Sequence, residues 1–376
     1  MKIWVIGRHY PTIRNRMRGS FELEQAKMLA RGGHEVTYIS VVFHPRKKIR
    51  NWGIASWKED GIRIVGYSVP FFPQKMNIEM NRVRAMVQKK VLRSIEKSDG
   101  LPDIIHVHYP TWIIDSDVVL QYQDKKCAIV CTEHWSNVLE EKLTKIQKHR
   151  LQKFVDKADA FICVGEQLKN AISRITGTNR HFYIVANVVD SLFSPQHKVQ
   201  KGYSFVFAGR LVKIKQIDKI LEAFASIVKD YSDTKLVIVG TGEELETLKN
   251  LSKSLGIEAS VVFTGTVDRE QVANHIANAD CLVCFSEFET FGVTVIEAWA
   301  CGVPAICSST AGVASYWQND LGFLVNPNSV EELSSKMRLM INKQWDHEWI
   351  SSYAQENFSE VAIRSQLDNI YKTVVQ

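Results

Sequence analysis

Short apolar runs alternate with longer amphipathic stretches along almost the whole chain, and that alternation predicts its architecture. Residues 2–6 and 35–41 read as strands, separated by a helix from about Phe21 to Arg31 that stops at Gly32-Gly33, a C-cap signal. Asn77 to Lys97 carries a helical pattern; Pro102 to His108, Ala128 to Cys131, Ala160 to Val164 and Tyr183 to Val185 read as further strands. After a polar stretch from Asp190 to Lys201 the same grammar restarts. Tyr203 to Ala208, Lys235 to Val239, Val261 to Phe263, Asp280 to Phe285 and Ala305 to Cys307 read as strands, with helices over Ile217–Lys229 and Val293–Ala300 between them. Two βα-alternating halves joined by a linker predict an α/β protein of two Rossmann-like, doubly wound parallel-sheet domains facing a cleft. The expected boundaries are 1–190, 191–355 and a closing helical segment 356–376.

The stretch Ser286 to Gly302 sits at the centre of this pattern. A strand, the turn Thr290-Phe291-Gly292 and a helix start together make an anion site, because the first helical N–H groups lack partners and the helix dipole is positive there. Glu289 and Glu297 flank that turn. Carboxylates repel a docked phosphate but accept hydrogen bonds from hydroxyls on either side of it, and a ligand with hydroxyls flanking a diphosphate is a nucleotide-sugar. The plainer alternative is a buried turn with two surface acids. Arg210 and Lys215, at another strand–helix junction of the same half, supply the positive charge that a diphosphate leaving group requires. Gly240-Thr-Gly242 fits a tight turn equally well. His134 follows a strand, in the edge position where ligands bind open α/β sheets.

Composition narrows the setting. Residues 1–190 carry 31 Lys and Arg against 19 Asp and Glu, a net +12, whereas residues 191–376 are net −6. A basic half joined to an acidic half points to an anionic surface or substrate on one side only. The cations and tryptophans of His44–Lys58, and Arg82, Arg84, Lys89, Lys90 and Arg93, suit either a membrane interface carrying anionic lipid or an ordinary solvated face. No run reaches the ~18 apolar residues of a membrane span, and Met1 to Ile6 is too short for a signal-peptide core. Seven cysteines without framework spacing fit a reducing compartment, so the expected location is cytoplasmic, with peripheral attachment to the inner membrane face. Cys281-x-x-Cys284 reads as core thiols, His106 and His108 lack further metal-ligand partners, and Asp115-Ser-Asp117 reads as acids in a first helical turn. No metal, cofactor or nucleic acid is expected.

These residues resemble a known family. Glu289-x7-Glu297, Gly209-Arg210-Leu211 with Lys215, Val239-Gly240-Thr-Gly242 and Asn187-Val-Val-Asp190 are similar to the motifs of the retaining glycosyltransferases of family 4, which have the GT-B fold. Gly32-Gly33-His34-Glu35-Val36 and His106-Val-His108 resemble its N-terminal pattern, so the likeness spans nearly the whole chain. It implies that Arg210, Lys215 and the backbone of Phe291, Gly292 and Val293 bind the diphosphate, that Glu289 holds the donor sugar and that Glu297 holds the ribose. It also implies that Gly19 belongs to a loop over the phosphates and that His134 lies near the reacting sugar; His108 and His134 are the acceptor-side candidates. The family retains anomeric configuration, uses no metal and closes two domains around its substrate; its last helix, here Ala354–Val375, crosses back to the N-terminal domain. Lys215-Gln216 replaces the usual Lys-Gly, and Ala311-Gly312-Val-Ala-Ser315 lacks the acid of the usual Gly-Gly-x-x-Glu. The expected activity is transfer of a sugar from a nucleotide-sugar to a lipid-linked or cell-envelope glycan. A small phosphorylated or glycoside acceptor, an epimerase and a nucleotide-sugar-binding protein without turnover remain as alternatives.

Overall fold

A computed structural model of the chain describes residues 1–8, 10, 20–45, 53–71, 77–196 and 202–375. Gly19, Arg14, Arg16, Arg18 and the basic stretch 46–52 lie outside the described residues. The chain divides into two compact units, Met1–Val185 with Arg364–Gln376, and Ala186–Ile363.

In the first unit the described residues form an eight-stranded sheet: β1 (Lys2–Gly7), β2 (Glu35–Pro45), β3 (Gly53–Glu59), β4 (Ile62–Phe71), β5 (Ile104–His108), β6 (Ala128–Glu133), β7 (Ala160–Cys163) and β8 (Tyr183–Ile184). Their order is β3-β4-β2-β1-β5-β6-β7-β8, parallel throughout except for the antiparallel β3–β4 hairpin. That hairpin is an addition at the edge; its strands follow a polar, aromatic rhythm that reads more easily as loop. The parallel core strands are buried on both faces, as continuous apolar runs require.

The second unit has a six-stranded parallel sheet of β9 (Tyr203–Ala208), β10 (Thr234–Val239), β11 (Val261–Gly265), β12 (Cys281–Cys284), β13 (Ala305–Ser308) and β14 (Gly322–Val325), in the order β11-β10-β9-β12-β13-β14. The helix Ile217–Ile227 shows how local pattern becomes packing. Its Ile217, Ile220, Leu221, Phe224 and Ile227 recur at three- and four-residue spacing and are all buried against Phe205, Leu236 and Met337. Each such side chain contributes roughly 1.5–3 kcal/mol on burial. The helix Val293–Ala300 is buried all round, from Val295 to Ala300.

Both sheets reverse their winding once, between β1 and β5 in the first and between β9 and β12 in the second. Open α/β sheets bind ligands outside the carboxyl ends of the strands at such switch points. The C-terminal segment is two helices rather than one: His347–Phe358 and Glu360–Val375, broken at Ser359, whose backbone is extended. Residues from Arg364 onward belong to the first unit, where His34 Nε2 lies 2.8 Å from Asp368 and the Tyr371 side chain is fully buried.

Candidate active site

In the second unit the switch point brings together the ends of β9 and β12, and with them most of the residues singled out in the sequence. Arg210 stands exposed on the loop after β9. That loop is laced to the one after β10: Gly209 N donates to Val239 O (2.9 Å) and Leu211 N to Thr241 O (3.0 Å). A Cβ on Gly240 would fall on the Gly209 carbonyl oxygen, and one on Gly242 on that of Leu211. Gly240-Thr-Gly242 therefore acts here as the backbone-to-backbone support of the Arg210 loop.

Lys215 ends a 3-10 turn, Lys213–Lys215, and its ammonium pairs with the Glu289 carboxylate. Burial works to lower the Lys215 pKa, but the charge and hydrogen bond of Glu289, together with Cys284, outweigh it and the pKa is raised, so the ammonium is held charged. Gln216 follows with φ +49° and ψ 42°, the left-handed region, and its side chain is buried. A glycine takes that conformation freely, which explains why the motif this segment resembles carries Lys-Gly.

The turn between β12 and the helix Val293–Ala300 is fixed from two sides. Glu287 N donates to Ile214 O (2.9 Å), tying it to the Lys215 turn; Gly312 N donates to Glu289 O (3.1 Å) and Val313 N to Phe291 O (2.7 Å). A side chain at Gly312 would strike the Thr290 carbonyl. Gly292, at φ +101°, caps the helix without a side-chain hydrogen bond; the Val295 N–H turns back to the Gly292 carbonyl (3.0 Å), and those of Val293 and Thr294 are left to a ligand or solvent. The Phe291 ring is buried against Tyr316 and Phe358, leaving its backbone as the part available to a ligand.

Glu297 differs from the surface acid or open clamp that its spacing suggested. It is 1% exposed, and its Oε1 accepts from Arg269 Nη2 at 2.6 Å. Arg269 also approaches Asp190 (3.6 Å) and lies over the Phe193 ring. Burial raises the Glu297 pKa and the Arg269 charge opposes that rise. Arg269 was not anticipated: it is the first residue of the helix Arg269–Ala277, and nothing in its spacing points to Glu297.

The first unit holds His134 and His108 at its own switch point. The two rings are stacked at 5.3 Å between centroids, with His108 Nδ1 3.0 Å from His134 Nε2. Tyr109 lies between Arg8 and His134 in the sequence of ring contacts: the Arg8 guanidinium is 3.7 Å from the Tyr109 centroid, and Tyr109 is 4.9 Å from His134. Burial, aided by Arg8 and His106, pushes the His134 pKa down to about 3; burial together with His134 and Arg8 takes His108 well below its usual range. The buried carboxylate that places His134 was also missed. Glu133 Oε1 accepts from the backbone N–H groups of His134 (2.9 Å) and Trp135 (3.0 Å), while Oε2 accepts from the Thr111 amide and hydroxyl. One side chain so joins the loops after β5 and β6. Burial raises its pKa, against those hydrogen bonds.

The remaining candidates have structural partners. Asp115 caps the short helix Ser116–Leu120, and Asp117 pairs with Lys153. Cys281 and Cys284 are buried in β12, and all seven cysteines are free thiols. No helix among the described residues is long and apolar enough to cross a membrane.

Comparison with known proteins accords with this geometry. The family Glycosyltransferase Family 4 matches residues 22–191, and Glycosyl transferases group 1 matches residues 189–357. The N-acetyl-alpha-D-glucosaminyl L-malate synthase of Bacillus anthracis is 26% identical, across 98% of this chain and 96% of its own. Among solved structures, the apo lipopolysaccharide outer core galactosyltransferase WaaB is 19% identical with a TM-score of 0.72, covering 99% of each chain. Anabaena Alr3699/HepE in complex with UDP and glucose is 16% identical with a TM-score of 0.74, covering 99% of this chain and 100% of that one. At these identities the solved structures speak to the fold. With both units matched, the chain belongs to glycosyltransferase family 4 and has the GT-B fold.

Proposed function

We propose that this glycosyltransferase moves a sugar from a nucleoside-diphosphate sugar to a hydroxyl of a lipid-linked or cell-envelope glycan, with retention of anomeric configuration and without a metal. The observation that carries the reading is the convergence of Arg210, Lys215, Glu289 and an uncapped helix N-terminus on one switch point. Arg210, Lys215 and the N–H groups at Gly292–Val293 receive the diphosphate. Diphosphate binding draws Lys215 away from Glu289, freeing that carboxylate to accept hydrogen bonds from donor-sugar hydroxyls. Glu297, steadied by Arg269, receives the ribose. The bond from the sugar's anomeric carbon to the phosphate oxygen breaks, the acceptor oxygen bonds to the same face, and the acceptor proton passes to the departing phosphate. His134 serves the reacting sugar.

A UDP-type donor draws support from HepE, whose solved complex contains UDP and glucose. An envelope acceptor draws support from WaaB, named as a lipopolysaccharide core enzyme. Attachment to an anionic membrane draws support from the helix Asn77–Asp99, where Val83 and Met86 are 44% and 71% exposed and Lys90 and Arg93 follow on the same face. The Bacillus anthracis relative, named for a malate product, favours a second reading in which the acceptor is a small acid.

The test is a thermal-shift screen of UDP-, GDP- and ADP-sugars, since a ligand bound at 100 times its Kd stabilises the folded state by about 2.7 kcal/mol. It is followed by a transfer assay with Glu289→Ala. We expect a shift with one nucleotide class and loss of transfer in the variant; full transfer by Glu289→Ala would sink the assignment. Sedimentation with anionic vesicles at low salt separates the acceptors, and absence of binding favours the small acid.

A further inference from the structure

The histidine column of the first unit contains a proton whose position can be worked out. Tyr371 Oη lies 2.6 Å from His106 Nδ1, and His106 Nε2 lies 2.7 Å from Thr132 Oγ1. The Tyr371 and Thr132 hydroxyls can each donate or accept, so both ring nitrogens of a neutral His106 are satisfied in either tautomer. His106 is thereby saturated, and its ring stacks on His108 at 4.5 Å and 21°.

His108 is not saturated. Its Nδ1 faces His134 Nε2 at 3.0 Å, while its Nε2 is buried without a hydrogen-bond partner. A neutral imidazole has one N–H and one lone pair, so a single proton lies between the two rings. Were His134 the donor, the proton of His108 would sit on Nε2 as an orphaned buried N–H, the rarer and costlier defect in folded proteins. With His108 as donor, the orphan is only a lone pair. His134 then accepts at Nε2 and keeps its proton on Nδ1, which makes no hydrogen bond to a described residue on a ring that is partly exposed.

We propose that His108 is a positioning residue that holds His134 in the Nδ1-protonated tautomer, so that His134 meets its substrate as a neutral hydrogen-bond donor and not as a general base. The substrate partner is a sugar hydroxyl or phosphate oxygen, a statement that rests on the glycosyltransferase reading above. The surrounding charges agree. Arg8 opposes a second positive charge at His134; Glu22 is committed to Arg8 at 2.8 Å, and Glu133 to its four donors. His106 and Tyr109, the other titratable neighbours, are held neutral by burial. Among the described residues no carboxylate makes a hydrogen bond or ion pair with the His134 ring.

The test is a two-bond proton–nitrogen correlation spectrum of the imidazoles in the uniformly labelled full chain, with His134 assigned by its loss in His134→Gln. We expect the proton on Nδ1 at pH 7.5 and again at pH 5.5. In His108→Ala the ring should exchange between tautomers and titrate in the ordinary histidine range; His108→Asn, which keeps an N–H near the Nδ1 position, should restore the pattern. In transfer assays His108→Ala should lower kcat about 10- to 100-fold with donor KM little changed, and add an acid limb to the pH profile that His108→Asn removes. A proton on Nε2 in the wild-type chain, an imidazolium at pH 7, or an unaltered tautomer in His108→Ala overturns the assignment. The wild-type spectrum decides even if the alanine variant does not fold. It also needs no turnover, so a chain inactive with every donor tried would count against the glycosyltransferase reading and leave the tautomer to stand or fall on the spectrum.

Discussion

The end of β12 collects a charged set: Lys215 paired with Glu289, Arg269 paired with Glu297, and Arg210 exposed beside them. The end of β5 collects a mostly neutral one, in which His106, His108 and His134 are kept as neutral imidazoles and Tyr109 and Tyr371 keep their protons. Both stand at a switch point of a parallel sheet. A site that handles a diphosphate needs fixed positive charge and acids that can change partners. A site that handles hydroxyls needs donors and acceptors whose proton positions do not wander. The proposed function assigns the first task to the second unit and the second task to the first, and the two carry opposite chemistry on the same architecture.

The contrast is broken most directly by removing the charge. Lys215→Met should reduce transfer by about 10²- to 10³-fold, the cost typical of losing one preorganised charge-stabilising donor, while far-ultraviolet circular dichroism stays unchanged. A loss under tenfold would mean that the charged set is structural.

The neutral set predicts acid lability. A depressed histidine pKa means that the unfolded chain binds protons which the folded chain does not. Stability from His106, His108 and His134 is thus complete above the unfolded value near 6.5, and is lost as pH falls toward the folded values, about 3 for His134. Three such groups lower stability by up to about 4 kcal/mol per pH unit once the unfolded chain is fully protonated. Glu133 and Glu297, whose pKa values are raised, act in the opposite sense and offset part of this. Thermal melts from pH 7.5 to 5 should therefore fall steeply, and His108→Asn should flatten the curve by one proton. A flat wild-type curve would show that the column is not neutral in the folded state.

A smaller effect sharpens the charged side. Gly312→Ala puts a methyl against the Thr290 carbonyl, and the loop carrying Glu289 and Phe291 must move; the expected cost is about 1–3 kcal/mol with weakened nucleotide binding by calorimetry. Wild-type stability and affinity in the variant would remove the second bracing of that turn. The smallest expected change is a gain. Gln216→Gly relieves a left-handed backbone at a residue whose Oε1 is buried without a partner, and should stabilise by up to ~1 kcal/mol in urea unfolding.

The charged set was largely legible in advance because its members follow strands at short, characteristic offsets. Arg210 comes two residues after β9 and Glu289 five after β12, so chain geometry alone puts them at a strand end. Arg269 was invisible for the opposite reason: its partner Glu297 is 28 residues away, and a helix-start arginine is ordinary in any soluble protein. The histidine column shows the same division. His134 was marked by its place after a strand. Glu133, one residue earlier, and Tyr371, 265 residues from His106, gain their meaning only from partners brought up by other elements.

What the sequence determined by itself is therefore the local part: the elements, the glycine-permitted turns, and the residues delivered to strand ends. Burial periodicity and backbone stereochemistry act over a few residues, so they are written in consecutive letters. Tertiary structure alone decided which strand ends became neighbours. A parallel strand registers its own apolar faces but not the identity of the strand beside it, and the orders β2-β1-β5 and β10-β9-β12 arise from packing over long loops. The proton between His108 and His134 depends on that pairing, because it is set by a hydrogen bond from the last residue of β5 to the residue just after the neighbouring β6, 26 positions away.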